Sequence, residues 1–463
     1  MNYRLIIISL CIAVLGCNEE GGLLPTTDVQ PETVVIKPDL NSGDEDTGRV
    51  PPVCEVKWSK ALQTGGGMSH PAADKYDTVF VASGQKAYSL GEAGNVEWIW
   101  PDHDLDWAWP DDLDPPPPWE LYTPALGRER TLFMGSNGKH LVAVNKNGIG
   151  LYLIPLTADA SGAPAISKDK RVIVLADDGS LYQINDEQKK VVWSLTGDDV
   201  LPAARPGMQP VIGPEEFYKE EVFLALTKDS LHCLTVAPEI GTLTPKRVWQ
   251  VTLPEGHEST SNPIMGEDGA VSFVTGSMLE GNYFKEHYLV TIPVAGPEGE
   301  MEVQLIYEGL TKVISLTRGK HELVIMGTEN AGAIAYDLVT DGIYWHYLPN
   351  EQNFEHVAQV AQAADGLLYL AAGRHWLYAV DELGAYHWHQ QLENPDGGLG
   401  AILWPSSPVV LSDGIAVFHA GNQIYAVNCS DEPLADTPWP RFGSNNRNTG
   451  RMDEHFYPQE ETE

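Results

Sequence analysis

Between Trp100 and Trp119 the chain sets Asp102, Asp104, Asp106, Asp111, Asp112 and Asp114 among Trp100, Trp107, Trp109 and Trp119, ahead of the run Pro115 to Pro118. Carboxylates on alternate residues can collect oxygen ligands for calcium, and Asp102, Asp104 and Asp106 are the candidate set. A calcium loop also needs a glycine at its middle for the turn and a distal glutamate, and this stretch has neither. The tryptophans suggest a different chemistry, because large exposed aromatics anchor contacts with proteins or glycans. Trp100, Trp107, Trp109 and Trp119 are therefore the candidate contact residues, with a plain solvated acidic loop as the remaining reading.

Other candidates for chemistry are sparse. His387 and His389 share one face of a strand and could hold a metal with His346 or His375, but aromatic-rich strands carry histidine for packing far more often. No glycine-rich phosphate loop, HExxH or GxSxG pattern occurs. Asp and Glu number 65 against 29 Lys and Arg, a net charge of -36. Nucleic acid and anionic headgroups are thus poor partners, since both require a basic footprint. Of the five cysteines, Cys233 reads as a buried strand residue and Cys11 falls in an apolar leader, which leaves Cys17, Cys54 and Cys429 to be placed.

The elements that must position these residues follow from a repeat. A small or polar residue and a proline open each copy, then come an apolar run ending in small residues, a second apolar or aromatic run, a turn, and a tryptophan. The prolines are Pro71, Pro124, Pro164, Pro210, Pro263 and Pro408, with degenerate copies near Val313 and Val360, and they recur about every 40 to 53 residues. The closing residue is Trp98, Trp193, Trp249, Trp345 or Trp388, with Tyr152 in its place in the second copy. The runs are short, rich in β-branched and aromatic residues, and bounded by Gly, Asp, Asn and Pro, so they read as strands. Proline at the start of the first strand does least harm there. One such unit cannot bury both of its faces, whereas radial stacking covers them. The expected fold is all-β, an eight-bladed propeller of four-stranded antiparallel blades.

Trp58 has the spacing of a closing tryptophan but precedes the first copy. Cys54 to Leu62 is therefore read as the outer strand of the eighth blade, closing the ring against Ile415 to Asn428. In that alignment Cys54 and Cys429 fall in one turn, within disulfide reach. A bridge is expected in an oxidising compartment, with two separate thiols as the alternative.

Ala335-Tyr336-Asp337-Leu338-Val339-Thr340-Asp341-Gly342-Ile343-Tyr344-Trp345 closely resembles the AxDxxTGxxxW repeat of the quinoprotein-like (PQQ-like) β-propellers, and Ala379-Val380-Asp381 to Trp388 is a shorter match. The resemblance implies that the repeat tryptophans, Trp58, Trp98, Trp193, Trp249, Trp345 and Trp388, pack structurally between neighbouring blades. It implies little about activity, since enzymes and non-enzymes share the motif. Quinone-dependent dehydrogenases of this fold carry adjacent cysteines, a calcium site of Glu, Asn and Asp, and a longer chain. No two cysteines are adjacent here, so a non-enzyme without PQQ is expected, with a quinone-dependent dehydrogenase and a calcium- or glycan-binding surface protein as alternatives. Trp439 to Arg451 resembles a Trp-Pro-x-Phe...Asn-Thr-Gly segment that flanks such repeats, and is expected to pack on the propeller.

At the amino end Arg4 precedes the apolar Leu5 to Leu15, too short for a membrane span and suited to a signal peptide. Val14-Leu15-Gly16-Cys17 resembles the bacterial lipobox, which implies a lipid on Cys17, and Asn18 fits delivery to the outer membrane. From Asn18 to Val53 the composition is that of a disordered tether. The expected organisation is a signal peptide over 1–16, a lipidated cysteine and acidic tether over 17–53, the propeller over 54–429, and an acidic tail over 430–463. Such a protein is similar to the propeller lipoproteins of the outer-membrane β-barrel assembly machinery. It would be an exported, monomeric scaffold that touches the membrane through its lipid and binds an envelope protein.

Overall fold

A computed structural model describes Val35–Ile36 and residues 54–451, apart from 63–68, 102–118, 128, 198–199, 238–243, 279–283, 299–300, 320–321, 349–356, 373–375, 393–404, 421–422, 429, 438–440 and 446. The strands form eight sheets, the blades of an all-β propeller. In blade one the chain runs outward through Ala72–Ala73, Val79–Ser83, Lys86–Leu90 and Val96–Trp100, each strand antiparallel to the last.

The central strands are buried throughout, as in Val79–Ser83, Val222–Leu226 and Leu368–Ala372. Both of their faces meet neighbouring blades, which is why they read as continuous apolar runs. Outer strands such as Arg247–Thr252 bury only alternate residues. The core is accordingly a series of walls between blades. Phe80, Leu132 and Val142 fill the wall between blades one and two, Tyr347, Leu370 and Tyr378 that between six and seven, and Tyr369, Phe418 and Tyr425 that between seven and eight. Val81 and Tyr88 meet Val417 and Ile424 between blades eight and one.

Blade eight is composite. Its outer strand, Glu55–Ala61, lies antiparallel to Gln423–Asn428, with Trp58 opposite Ala426. Blades five and six exceed four strands: His257–Ser259 joins Val271–Met278 in blade five, and Val35–Ile36 runs parallel to Gly342–Tyr347 in blade six, in register with His346 and Tyr347. Part of the segment expected to be a disordered tether is thus a strand, because an outer blade edge offers unpaired backbone groups.

In all eight blades the pairing of third and fourth strands carries a register shift, as between Val56 and Trp58 or Ala335 and Tyr336. A bulge bends the strand and re-aims its side chains, and it recurs where the closing aromatic must turn toward the next blade. The hairpin turns are set by Asx bonds: Asp381 Oδ1 accepts from the backbone N–H groups of Leu383 and Ala385, and Asn145 Oδ1 from those of Asn147 and Ile149.

Candidate interaction surfaces

The repeat tryptophans lock each blade to the next. Trp345 is fully buried and donates Nε1–H to the Glu382 carbonyl at 2.9 Å, while Trp58 donates to Glu92 O and Trp98 to Lys146 O, both at 2.8 Å. Each acceptor lies two residues before a turn glycine on which the ring rests: Gly384, Gly94 and Gly148. A Cβ at Gly384 would stand 2.6 Å from the Trp345 ring, and its φ of +79 favours glycine in any case. Trp249 covers Gly296 in the same manner. Tyr152, in the tryptophan position of blade two, reaches Asp186 Oδ1 through its hydroxyl at 2.8 Å. Trp193 is buried, donates to Gln183 Oε1 and stacks on Phe223 of blade four; Trp388 is buried beside Tyr369.

The tail forms a hub at the axis. Each strand-opening proline lacks an N–H but still presents a carbonyl at the inner end of its blade, and these carbonyls need donors. Arg441, fully buried, supplies them: Nε donates to Pro408 O at 2.6 Å, Nη2 to Pro71 O at 3.2 Å and Ser407 O at 3.4 Å, and Nη1 to Asn445 O and Asn448 Oδ1 at 2.6 Å. All five guanidinium N–H groups thus have an oxygen acceptor. Asn448 Nδ2 donates to Pro71 O and Pro124 O, and Gln209 Nε2 to Pro164 O and Asn448 O. In return the N–H groups of Leu126, Ile166 and Ile212 donate to the carbonyls of Arg447, Thr449 and Gly450. The beginning of the tail adds bonds to Gln362, Ala364 and Arg318 of blades seven and six. These bonds reach blades one, two, three, four, six, seven and eight, and Gln209 of blade four, itself bonded to the tail, donates its N–H to Asn262 Oδ1 of blade five at 2.8 Å.

His70 is part of this hub. It stacks on Phe442 with centroids 4.0 Å apart, and its Nδ1 accepts from Ser407 N–H at 2.8 Å. Burial and the Arg441 charge hold its pKa down to about 3, so the ring is neutral with its proton on Nε2. A cavity of about 230 Å³ opens beside it toward blades four to six, lined by Arg205, Asn262, Phe284, Lys312 and Phe442. A second cavity of about 510 Å³ lies between blades six and seven, where Asp337, Asp365, Asp381 and Glu382 surround Tyr344 and Leu383. Asp337 spends both oxygens on its own turn, and Asp381 gives Oδ1 to its turn and Oδ2 to His387.

The other candidates fare unevenly. Trp100, expected in a contact loop, is a core residue: it ends the outer strand of blade one and packs between blades one and two. Trp119 is half-buried and stacks on His140, with centroids 4.4 Å apart. Trp107, Trp109, Asp102, Asp104 and Asp106 lie outside the described residues, as do Cys17 and Cys429. Cys54 is half-buried at the start of a strand whose next residue, Glu55, lies opposite Asn428. Cys233 is buried, and burial raises its thiol pKa. His387 faces Asp381 Oδ2 at 3.1 Å and His346 faces the Ala331 carbonyl, so each has its own partner. Among the described residues no group of three or more His, Cys, Asp or Glu is placed to hold a metal. Two features have no counterpart in the sequence reading: the role of Arg441 and Asn448 in collecting proline carbonyls, and the long edge of blade five.

A family model described as outer membrane protein assembly factor BamB matches residues 107–347. Among solved structures the chain is similar to BamB from Moraxella catarrhalis, with 12% identity, a TM-score of 0.59, and coverage of 81% of this chain and all of that one. It is also similar to the computationally designed Ika8 protein, with 14% identity, a TM-score of 0.54 and coverage of 80% and 100%. At these identities the likenesses establish the fold. No curated protein matches the chain.

Proposed function

This chain belongs to the family of the outer membrane protein assembly factor BamB, and from that premise we propose that it is a non-catalytic scaffold of the cell envelope that binds a protein partner in outer-membrane assembly. The observation that carries the reading is the axial hub. The inner ends of the blades are satisfied by the protein's own tail through Arg441 and Asn448, which leaves blade edges and outer loops as the surfaces open to a partner. A lipid on Cys17 would hold the scaffold at the membrane, and a Cys54–Cys429 bridge would fasten the composite blade, in keeping with the pairing of Glu55 and Asn428.

Affinity capture of the full chain from detergent-solubilised envelopes is the direct test. Recovery of a stable outer-membrane assembly partner is expected. Dehydrogenase activity on reconstitution with pyrroloquinoline quinone would replace this reading with an enzymatic one. Cys17→Ser should move the protein from the membrane pellet to the soluble fraction, and unchanged pelleting would remove the anchor. Non-reducing peptide mapping should return one fragment joining Cys54 and Cys429, and alkylation of both thiols in protein from the envelope would exclude the bridge.

A further inference from the structure

The outer strand of blade five, Glu302–Thr311, has ten residues, whereas the outer strands of the other blades have five to seven. At the rise of an extended chain this is an edge of about 33 Å. It is also unusually apolar on its exposed side. Val303 is 48% exposed, Leu305 47% and Leu310 58%, and Met301, just before the strand, is 41% exposed. Natural sheets guard their edges with lysine, proline or short strands, because an open edge offers a row of unpaired N–H and C=O groups to any extended chain. From Pro297 to Thr311 there is no Lys or Arg, and the only proline is Pro297 itself. Exposed Val303 and Leu305, with Leu310 beyond Glu308, give this open edge apolar side chains that a partner strand could cover.

Two observations indicate what the edge takes. The register places Glu308 opposite Glu286 on the neighbouring strand Phe284–Ile292; Glu286 Oε2 accepts from the Tyr288 hydroxyl at 2.9 Å, but like charges directly across a pair are unfavourable, and a cation beside them would relieve the repulsion. Glu302 adds a further exposed carboxylate. In addition, blade six already shows that a blade edge of this molecule accepts an added strand, since Val35–Ile36 pairs with its outer strand.

We propose that the Glu302–Thr311 edge is the docking site for an extended segment of a partner protein, added as a further β-strand. Apolar residues of that segment, at alternate positions, would cover Val303 and Leu305, and its Lys or Arg residues would meet Glu302, Glu286 and Glu308. The backbone bonds supply affinity, and the alternating side chains supply selectivity. The inference rests on the protein-binding reading given above and names the surface and the chemistry of the segment.

The test uses the full chain and a capped peptide of about nine residues alternating valine and lysine, long enough to span most of the edge. Calorimetry should detect binding that weakens with salt, and hydrogen exchange should show new protection of amides within Glu302–Thr311. The double variant Val303→Lys, Leu305→Lys should keep the melting temperature and lose about tenfold or more in affinity, while a peptide alternating valine and glutamate should not bind. The proposal is overturned if neither peptide binds, if protection appears elsewhere with affinity unchanged in the double variant, or if the edge instead pairs two copies of this chain in sedimentation. Capture of the native partner separates the two readings. A double variant that still captures that partner defeats the edge proposal and leaves the scaffold standing, whereas failure of the unaltered chain to capture any partner defeats the scaffold.

Discussion

The axis and the outer edge of blade five are opposite solutions to the same problem of backbone polar groups at the end of a sheet. At the axis, Arg441, Asn448 and Gln209 match proline carbonyls of four blades with donors, and tail carbonyls take the N–H groups of Leu126, Ile166 and Ile212. At blade five the edge is long, apolar and acidic. A matched seam cannot accept a partner without first giving up bonds it already has, while an open edge gains bonds on meeting one. Stability and availability are thereby assigned to different places: the axis is bonded to the tail, and the outer strand of blade five lies at the far edge of its sheet.

The sharpest way to break this contrast is Arg441→Ala. Removing five N–H groups from a fully buried site leaves several carbonyls without donors and should cost on the order of 3–5 kcal/mol. Arg441→Lys keeps the charge but has three donors on a single nitrogen, so it should fall between the two. Denaturant midpoints of the three proteins measure this, and an unchanged midpoint for the alanine variant would show that the hub is not what holds the blades.

Gly384→Ala probes the blade-to-blade lock. The new methyl would meet the Trp345 ring in a left-handed backbone conformation, a penalty of about 2–3 kcal/mol. Adding Trp345→Phe should relieve part of it, so the double variant should be more stable than the sum of the single losses.

Acid should weaken the hub and the walls by smaller steps. His70 is held down to about 3, and His232, His287 and His419 to about 4, each chiefly by burial, against an ordinary 6.5. The unfolded chain therefore binds more protons than the folded one between pH 6.5 and about 4, and stability should decline as pH falls through that window. Asp177, raised to about 6 by burial and by Asp159, and Asp186, raised chiefly by burial, act in the opposite direction, while His346 and His389, lowered by burial, add to the four histidines. Melting temperatures from pH 7 to 4 test the slope, and His70→Gln should flatten it.

The smallest effect is expected at the edge. Val303→Lys with Leu305→Lys should change stability by less than about 0.5 kcal/mol, as exposed substitutions do. A loss comparable to that of Arg441→Ala would mean that these side chains belong to the core, and the contrast would collapse.

What the chain reveals before folding follows the same division. Pro71 through Pro408 and the closing tryptophans carry the blade count, because each is a residue type that a particular turn or strand start requires. The bulge in every outer hairpin has no residue signature, and the tail's partners are backbone carbonyls, which no side-chain pattern records. The tail was therefore legible as a packed segment while the work of Arg441 was not. Trp100 misleads for a related reason: it stands where a strand ends and an acidic insertion begins, and composition does not mark on which side of that boundary a tryptophan turns inward. The edge of blade five escapes notice because Val303, Leu305 and Leu310 look like any other strand residues until the neighbour that should cover them is found to be absent among the described residues.

Blade eight draws its outer strand from Glu55–Ala61 and its remaining strands from residues beyond 408, and the tail residues of the hub, Arg441 and Asn448, follow later still. During synthesis, which runs from the amino end, Glu55–Ala61 must wait through seven blades before its partner exists. A chain cut short anywhere before Gln423 therefore lacks its last wall and its hub together, and displays an unpaired strand at its front. The arrangement makes completeness of the polypeptide a condition for a finished ring.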